Sequence, residues 1–335
     1  MTGPDPAVAA VRVAVRRELA DVTGTVLVAC SGGADSLALL AATVFETRRS
    51  PVRIVGVTVD HGLQPDAAAQ ASHVVDQMAA LGADETATVR VTVDPGPRGI
   101  EAGAREARYA ALAQLAVHFG AEPGPAAVLL GHTRDDQAET VLLGLARGSG
   151  GRSIAGMRRR LVRDGVLFAR PLLDLGREQT EAACRAQDLA WWEDPHNSDP
   201  RFVRSRIRHT VMPMLESELG PGFAEALART ADAVRADVDE LDDRAEAWLA
   251  GRPGPLATAE LAPLPDALRW RVLRAAALAA GSPAGELTRP HVLAVDGLVQ
   301  GYRGQRWIDL PGPVRARRED GLLLFEPGAR GGAGS

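Results

Sequence analysis

Short apolar runs punctuate the first half of the chain at regular intervals: Thr25–Ala29 (TVLVA), Arg53–Val59 (RIVGVTV), Ala87–Val93 (ATVRVTV) and Ala126–Gly131 (AAVLLG). Their length and β-branched content predict strands. Between them, apolar positions recur with helical spacing over Ser36–Arg48, Pro65–Leu81, Glu101–Phe119 and Gln137–Ala146. Strands that alternate with helices of this length predict β-α-β units on a parallel, Rossmann-like sheet. Ligands of such sheets bind at the carboxyl ends of the strands, so the residues just after each strand carry the chemistry.

The pattern changes in the second half. The glycines and serines of Gly148–Gly156 predict a loop, followed by the arginine-rich run Met157–Arg163 and a turn-rich segment containing Trp191 and Trp192. Phe223–Trp248 reads as one long helix with an acidic, solvated face, and Pro265–Ala280 and Arg289–Val299 as two shorter ones. Arg306–Leu310, Val314–Arg317 and Leu322–Phe325 read as short strands joined by PG and DG turns. The expected organisation is an α/β domain over 1–215, a mainly helical domain ending in short strands over 216–328, and a disordered tail over 329–335.

Composition narrows the chemistry. The chain has 335 residues, enough for two domains, and a formal charge of −5, so no uniformly basic coat is present. All 38 basic residues are arginine, which excludes a Walker-type GK[ST] loop, a Schiff-base lysine and a lysine general base. Two distant cysteines, Cys30 and Cys184, do not make a four-thiolate metal or iron–sulfur site and are read as buried, reduced thiols. No apolar run reaches the ~18 residues of a membrane span, and Asp5, Arg12, Arg16 and Arg17 interrupt any secretory core, so a cytoplasmic protein without membrane contact is expected.

After the first strand stand Ser31, Gly32, Gly33, Ala34, Asp35 and Ser36, then an apolar helix. Two glycines allow a tight turn that brings amides to an anion, and the helix start adds its positive dipole end. Asp35 would repel phosphate unless a Mg²⁺ ion bridged them. An ordinary capped βα turn would use the same residue types. The second strand runs into Asp60 and His61, placed to face a nucleotide or to fasten a turn. On the third helix Glu101, Arg105 and Arg108 share a face, where Arg105 could grip a phosphate or serve an internal ion pair. The fourth strand leads to Asp135, Asp136, Glu139 and Thr140 in one helical turn. Such acids ordinarily cap a helix, but beside a phosphate loop they suit Mg²⁺ or a substrate ammonium, and at least one of Asp135 and Asp136 is assigned to the amine.

Between Arg147 and Arg208 there are 13 arginines against eight acids, a local excess of +5. Arg201, Arg204 and Arg208 are expected along one helix, with Arg206 beside them and Trp191 and Trp192 nearby. Arginines with aromatics hold phosphates and splayed bases, although a solvated basic face with core tryptophans has the same composition. A second basic stretch, Arg303–Arg318, suits an extended polyanion.

The string SGGADS resembles the PP-loop of the ATP-pyrophosphatase superfamily. Together with VDHGL, EAGAREARYAAL, GHTRDDQAET, GSGGRSIAGM, RPLL and EDPHNSDPRFVRSRIRHTVMPML, it makes residues 26–215 resemble the bacterial tRNA(Ile)-lysidine synthases. That resemblance implies ATP-dependent joining of L-lysine to the wobble cytidine of a CAU-anticodon tRNA(Ile), with ATP as substrate and Mg²⁺ as cofactor. On it, Asp35, Arg105, Asp136 and Glu139 are catalytic, Ser31–Ser36 with Asp60 and His61 bind ATP, and Asp35 takes the metal. Asp135 and Asp136 bind lysine, and Arg147, Arg152, Arg201, Arg204, Arg206 and Arg208 bind tRNA. Oligomeric state is left open, a homodimer included. The alternatives are a PP-loop tRNA thiolase or another adenylating ligase, and a non-catalytic nucleotide- or RNA-binding module.

Overall fold

The computed structural model describes residues 3–60, 62, 67–94, 99–120, 124–148, 150–194 and 198–328. His61 and the tail 329–335 lie outside the described residues. After α1 (Pro6–Leu19), the chain alternates β1 (Thr25–Ala29), α2 (Ala34–Thr47), β2 (Arg53–Asp60), α3 (Ala67–Ala80), β3 (Glu85–Arg90), α4 (Ile100–Phe119), β4 (Ala127–Leu130) and α5 (Arg134–Arg147). There follow α6 (Gly151–Ile154), β5 (Arg160–Arg163), β6 (Val166–Ala169), α7 (Arg177–Arg185), α8 (Val203–Arg206), α9 (Met212–Leu219) and α10 (Phe223–Ala250).

The first compact unit comprises 1–140 and 157–228. Its sheet has the order β3-β2-β1-β4-β6-β5 among the described residues, parallel except for β5. Strand alternation sorts the two cores. Val26 and Val28 point toward α1, α2, α3 and α7, where Val11, Val15, Leu37, Leu40, Val74 and Met78 are buried. Leu27, Val55 and Val57 point the other way, onto Tyr109, Leu112 and Ala116 of α4. Both faces are covered, which explains why the strands read as continuous apolar runs.

Several elements differ from expectation. β3 lies at 85–90 rather than 87–93, because its pairing ends opposite Asp60, where β2 ends. The arginine-rich run ends in β5, which pairs antiparallel with β6 in a hairpin closed by Asp164 (φ 52°) and Gly165 (φ 76°); both left-handed residues match the tight hairpin turn. α7 was hidden in a short, strongly polar stretch. Arg201 precedes α8 instead of sharing a helix with Arg204 and Arg208, and a π-helical turn over Ile207–Val211 separates α8 from α9.

The second compact unit is formed by 141–156 and 229–335. It adds β7 (Leu256–Ala257), α11 (Thr258–Leu261), α12 (Asp266–Ala279), α13 (Arg289–Gln300), β8 (Ile308–Leu310), β9 (Val314–Glu319) and β10 (Leu322–Pro327). The antiparallel sheet β7-β10-β9-β8 packs on α12 and α13 around Leu261, Leu273, Leu298 and Leu323. The DG turn is Asp320–Gly321, with φ of 47° and 76°. The units divide at Ala228/Arg229, inside α10, rather than at 215/216, and the glycine-rich loop region belongs to the second unit. A helix that runs unbroken through a boundary carries no composition signal there.

Leu39 is fully buried in the α1–α2–sheet core. Leu39→Ala is expected to lower unfolding stability by about 2–5 kcal/mol in urea titrations, through lost burial and the cavity left behind.

Candidate active site

The glycine turn is held by its own serines. Ser36 Oγ accepts the Ser31 amide at 3.1 Å and donates to Gly33 O at 2.9 Å, closing the loop onto the first turn of α2. Gly32 has φ +83°, and a Cβ there would lie 2.7 Å from Val74, so only glycine fits. Its carbonyl accepts the Trp192 amide at 2.9 Å, which fastens the segment after α7 to the turn. A Cβ on Gly131 would meet the backbone of Asp35 and Ser36 at 3.2 Å, so the tip of β4 lies directly against the start of α2. The amides of Gly33, Ala34 and Asp35 are donors that a helix start leaves without intrahelical acceptors, and there the dipole favours an anion.

Around this turn three carboxylates converge. Asp35 faces Thr180 Oγ1 in a short hydrogen bond and has Arg177 Nη2 at 3.5 Å. The same threonine hydroxyl lies 2.7 Å from Arg177 O, so its one proton has two acceptors within reach. Burial, outweighing Arg177 and Thr180, pushes Asp35 up to about 6. Asp136 Oδ2 accepts the Thr133 amide at 2.9 Å, and its Oδ1 has Arg208 at 2.9 Å and Arg177 at 3.7 Å. Burial opposes its ionisation, but Arg208, Arg177 and the Thr133 amide more than compensate and hold Asp136 below the ordinary carboxylate range. Glu139, 1% exposed, takes Arg208 Nε at 2.6 Å on Oε1; its Oε2 has only Arg204 at 3.7 Å and no hydrogen bond. Burial raises Glu139.

A positive side faces them. Arg170, 2% exposed, donates to Tyr109 Oη at 2.6 Å and to Arg158 O. Arg105 lies 5.5 Å from the Tyr109 ring centre. Burial lowers Arg108 and His132, and the field of Arg108, Arg170 and Arg105 keeps the His132 imidazole neutral. Among the described residues no carboxylate forms an ion pair with Arg105 or Arg108.

The structure therefore brings Ser31–Ser36, Asp35, Asp136 and Glu139 together, as the strand-end argument expects. Asp60 lies at the tip of β2, taken up by Arg90 at 2.9 Å and the Gly62 amide at 2.8 Å. Asp135, expected at the lysine, has its Oδ2 accepting the Arg177 amide at 2.7 Å and so fastens the start of α7. Arg204, in α8, and Arg208, in the π-helical turn, both reach Glu139, Arg208 by a hydrogen bond of 2.6 Å and Arg204 at 3.7 Å. Arg201 is paired with Asp199, Arg206 with the carbonyls of Pro200 and Arg201, and Arg152 with Asp242 in the second unit. Arg147 is exposed at the end of α5. Sequence reasoning missed Arg177, Thr180, His132 and Arg170; the only local signal for the first two was Gly176 followed by Gln179, whose side chain accepts the Gly176 amide at 2.9 Å. Among the described residues no three His, Cys, Asp or Glu side chains are placed to hold a metal ion between them, and no helix is long and apolar enough to cross a membrane.

Fold and site define an anion-binding strand–turn–helix with acids at the neighbouring strand tips, and residues 11–215 match the PP-loop domain family. Over 97% of its length the chain is 53% identical to the tRNA(Ile)-lysidine synthase of Thermobifida fusca, covering 99% of that protein. It is 49% identical to the tRNA(Ile)-lysidine synthase of Streptomyces coelicolor, across 97% of the chain and all of that protein. Among solved structures, the U34-tRNA thiolase NcsA of Methanococcus maripaludis with its [4Fe-4S] cluster shares the fold, with a TM-score of 0.56 and 18% identity over 69% of this chain and 80% of that one. The chain belongs to the PP-loop domain family and, within it, to the tRNA(Ile)-lysidine synthases.

Because the folded state holds Asp35 near 6, above its ordinary 3.8, it binds that proton more tightly than the unfolded chain does. Stability therefore falls as pH rises from about 4 to 6 on account of this group. Asp35→Asn is expected to stabilise the protein by about 1–3 kcal/mol at pH 7.5, a gain that fades below about pH 4. Thermal unfolding of both proteins across that range measures it.

Proposed function

We propose that the chain is an ATP-dependent ligase that joins L-lysine to C2 of the wobble cytidine of CAU-anticodon tRNA(Ile). The product is lysidine, formed through an adenylated tRNA with release of pyrophosphate and AMP. The observation that carries this reading is the 53% identity over 97% of the chain, strand tips included, to a protein named for that activity.

The residues suit the two steps. The Ser31–Ser36 turn, with the helix-start amides of Gly33 to Asp35, binds the phosphates of ATP. As O2 of the cytosine bonds to the α-phosphorus, the bond to the pyrophosphate oxygen breaks, a step that depends on positioning and on charge neutralisation. A divalent cation fits the donor set: Asp35 is a desolvated carboxylate beside the phosphate turn with Asp136 as its neighbour, and hard oxygens with substrate phosphates are what Mg²⁺ takes. Asp35 and Asp136 would hold it, and it would supply neutralisation of the departing pyrophosphate. Arg105 and Arg108, without carboxylate partners among the described residues, suit an anionic substrate group.

In the second step a neutral lysine ε-amine attacks C2 and AMP leaves. Glu139, with Oε2 free of hydrogen bonds and its carboxyl raised by burial, orients the amine and takes its proton, with Asp136 beside it. Arg147, Arg152, Arg201 and Arg206 are exposed and are assigned to tRNA phosphates, as is the helical second unit. The cytoplasm, where ATP and tRNA meet, is the proposed location. Thiolase chemistry is disfavoured because both thiols are buried and held. Cys30 lies against Ser36 and Cys184 against Ala34 O, and burial pushes Cys184 up to about 12.

Incubation with ATP, labelled lysine and a panel of tRNAs is expected to label only CAU-anticodon tRNA(Ile), with AMP and pyrophosphate formed in equal amounts; label in any other tRNA, or none, overturns the reading. Asp35→Ala is expected to abolish pyrophosphate release while tRNA binding stays unchanged in filter-binding assays. Arg147→Ala is expected to raise the KM for tRNA and reduce the salt slope of binding by about 1.

A further inference from the structure

Arg177 stands out among the arginines that face the carboxylates. It is the first residue of α7, and its amide is fixed to Asp135 Oδ2 at 2.7 Å, so its main chain is anchored. Its side chain is not. One nitrogen, Nη2, lies 3.5 Å from Asp35 Oδ2 and 3.7 Å from Asp136 Oδ1, which is Coulombic contact without a hydrogen bond to either. Arg208 contrasts with it, with hydrogen bonds of 2.6 and 2.9 Å to Glu139 and Asp136. The Arg177 side chain is also 30% exposed, so a path to solvent is open.

Two carboxylates brought to adjacent strand tips repel each other, and a cation between them lowers that cost. The structure assigns Arg177 as a positioning residue that bridges Asp35 and Asp136 in the nucleotide-free protein and gives way to a divalent cation when the site is loaded. The anchored amide lets the guanidinium withdraw without disturbing α7, and the long contacts make withdrawal inexpensive. Thr180, one turn later, keeps Asp35 in place meanwhile. This inference rests on the reading of Asp35 and Asp136 as the metal carboxylates.

The experiment measures Mn²⁺ binding to the full-length protein without nucleotide, by electron paramagnetic resonance of the free ion. A place-holder suppresses apparent affinity by the fraction of time it occupies the site, so Arg177→Gln is expected to bind Mn²⁺ about tenfold more tightly than the wild type. Arg177→Lys, which retains a cation, is expected to stay near the wild-type affinity, a result that a merely structural role would not produce. Affinity of Arg177→Gln at or below wild type, or no binding in either, overturns the inference. So does an Arg177→Lys variant that binds as tightly as Arg177→Gln. The underlying metal reading fails separately, if Asp35→Asn leaves Mn²⁺ binding to the ATP-loaded protein unchanged.

Discussion

Placing three carboxylates together in a largely buried cleft is the constraint from which the rest of the first unit follows. Asp35, Asp136 and Glu139 are each more than half withdrawn from water, and each raises the cost of ionising the others. Arginines meet this from two directions: Arg177 on α7, and Arg204 and Arg208 on the segment around the π-helical turn. The elements after β6 are therefore part of the site as much as the sheet is. Without them the strand tips would carry uncompensated negative charge, and the carboxylates would protonate.

The compensation is uneven, and that unevenness gives the residues different chemistry. Asp136, with two arginines and a backbone amide, stays ionised. Asp35 and Glu139 are raised by burial and stand closer to accepting a proton. On the opposite wall Arg105 and Arg108 find no carboxylate among the described residues. The cleft thus has an acidic pole already occupied by internal cations and a basic pole without a protein counter-ion. A site that must take an anionic nucleotide, an RNA base and an amine has use for both.

Much of this was legible in the sequence. The βαβ alternation, the glycine turn after β1 and the acids after β4 all depend on local patterns, and the strand-end rule was enough to gather Asp35, Asp136 and Glu139. Local reasoning went astray where one side chain had several uses of similar energy. Asp135 and Asp136 are adjacent and chemically identical in the sequence; one caps α7 and the other enters the cleft because helix geometry points neighbours about 100° apart. Arg204 and Arg208 read as an RNA face because their basic neighbours suggested one, whereas in the fold both meet Glu139, a partner 65 and 69 positions away.

What the amino-acid order decided alone was whatever depends on neighbours along the chain: apolar periodicity, the two glycines that permit the phosphate turn, the absence of lysine, and the motifs that mark the family. What only the tertiary structure decided was which charges meet. Arg177 and Asp35 are 142 positions apart in the chain, and their proximity is set by α7 packing against α1 and α2 through Ala183 and Cys184. Hydrophobic burial is non-directional and holds such segments together irrespective of the ion pairs they carry. The partners of a buried charge are therefore a consequence of packing and cannot be read from the spacing of residues.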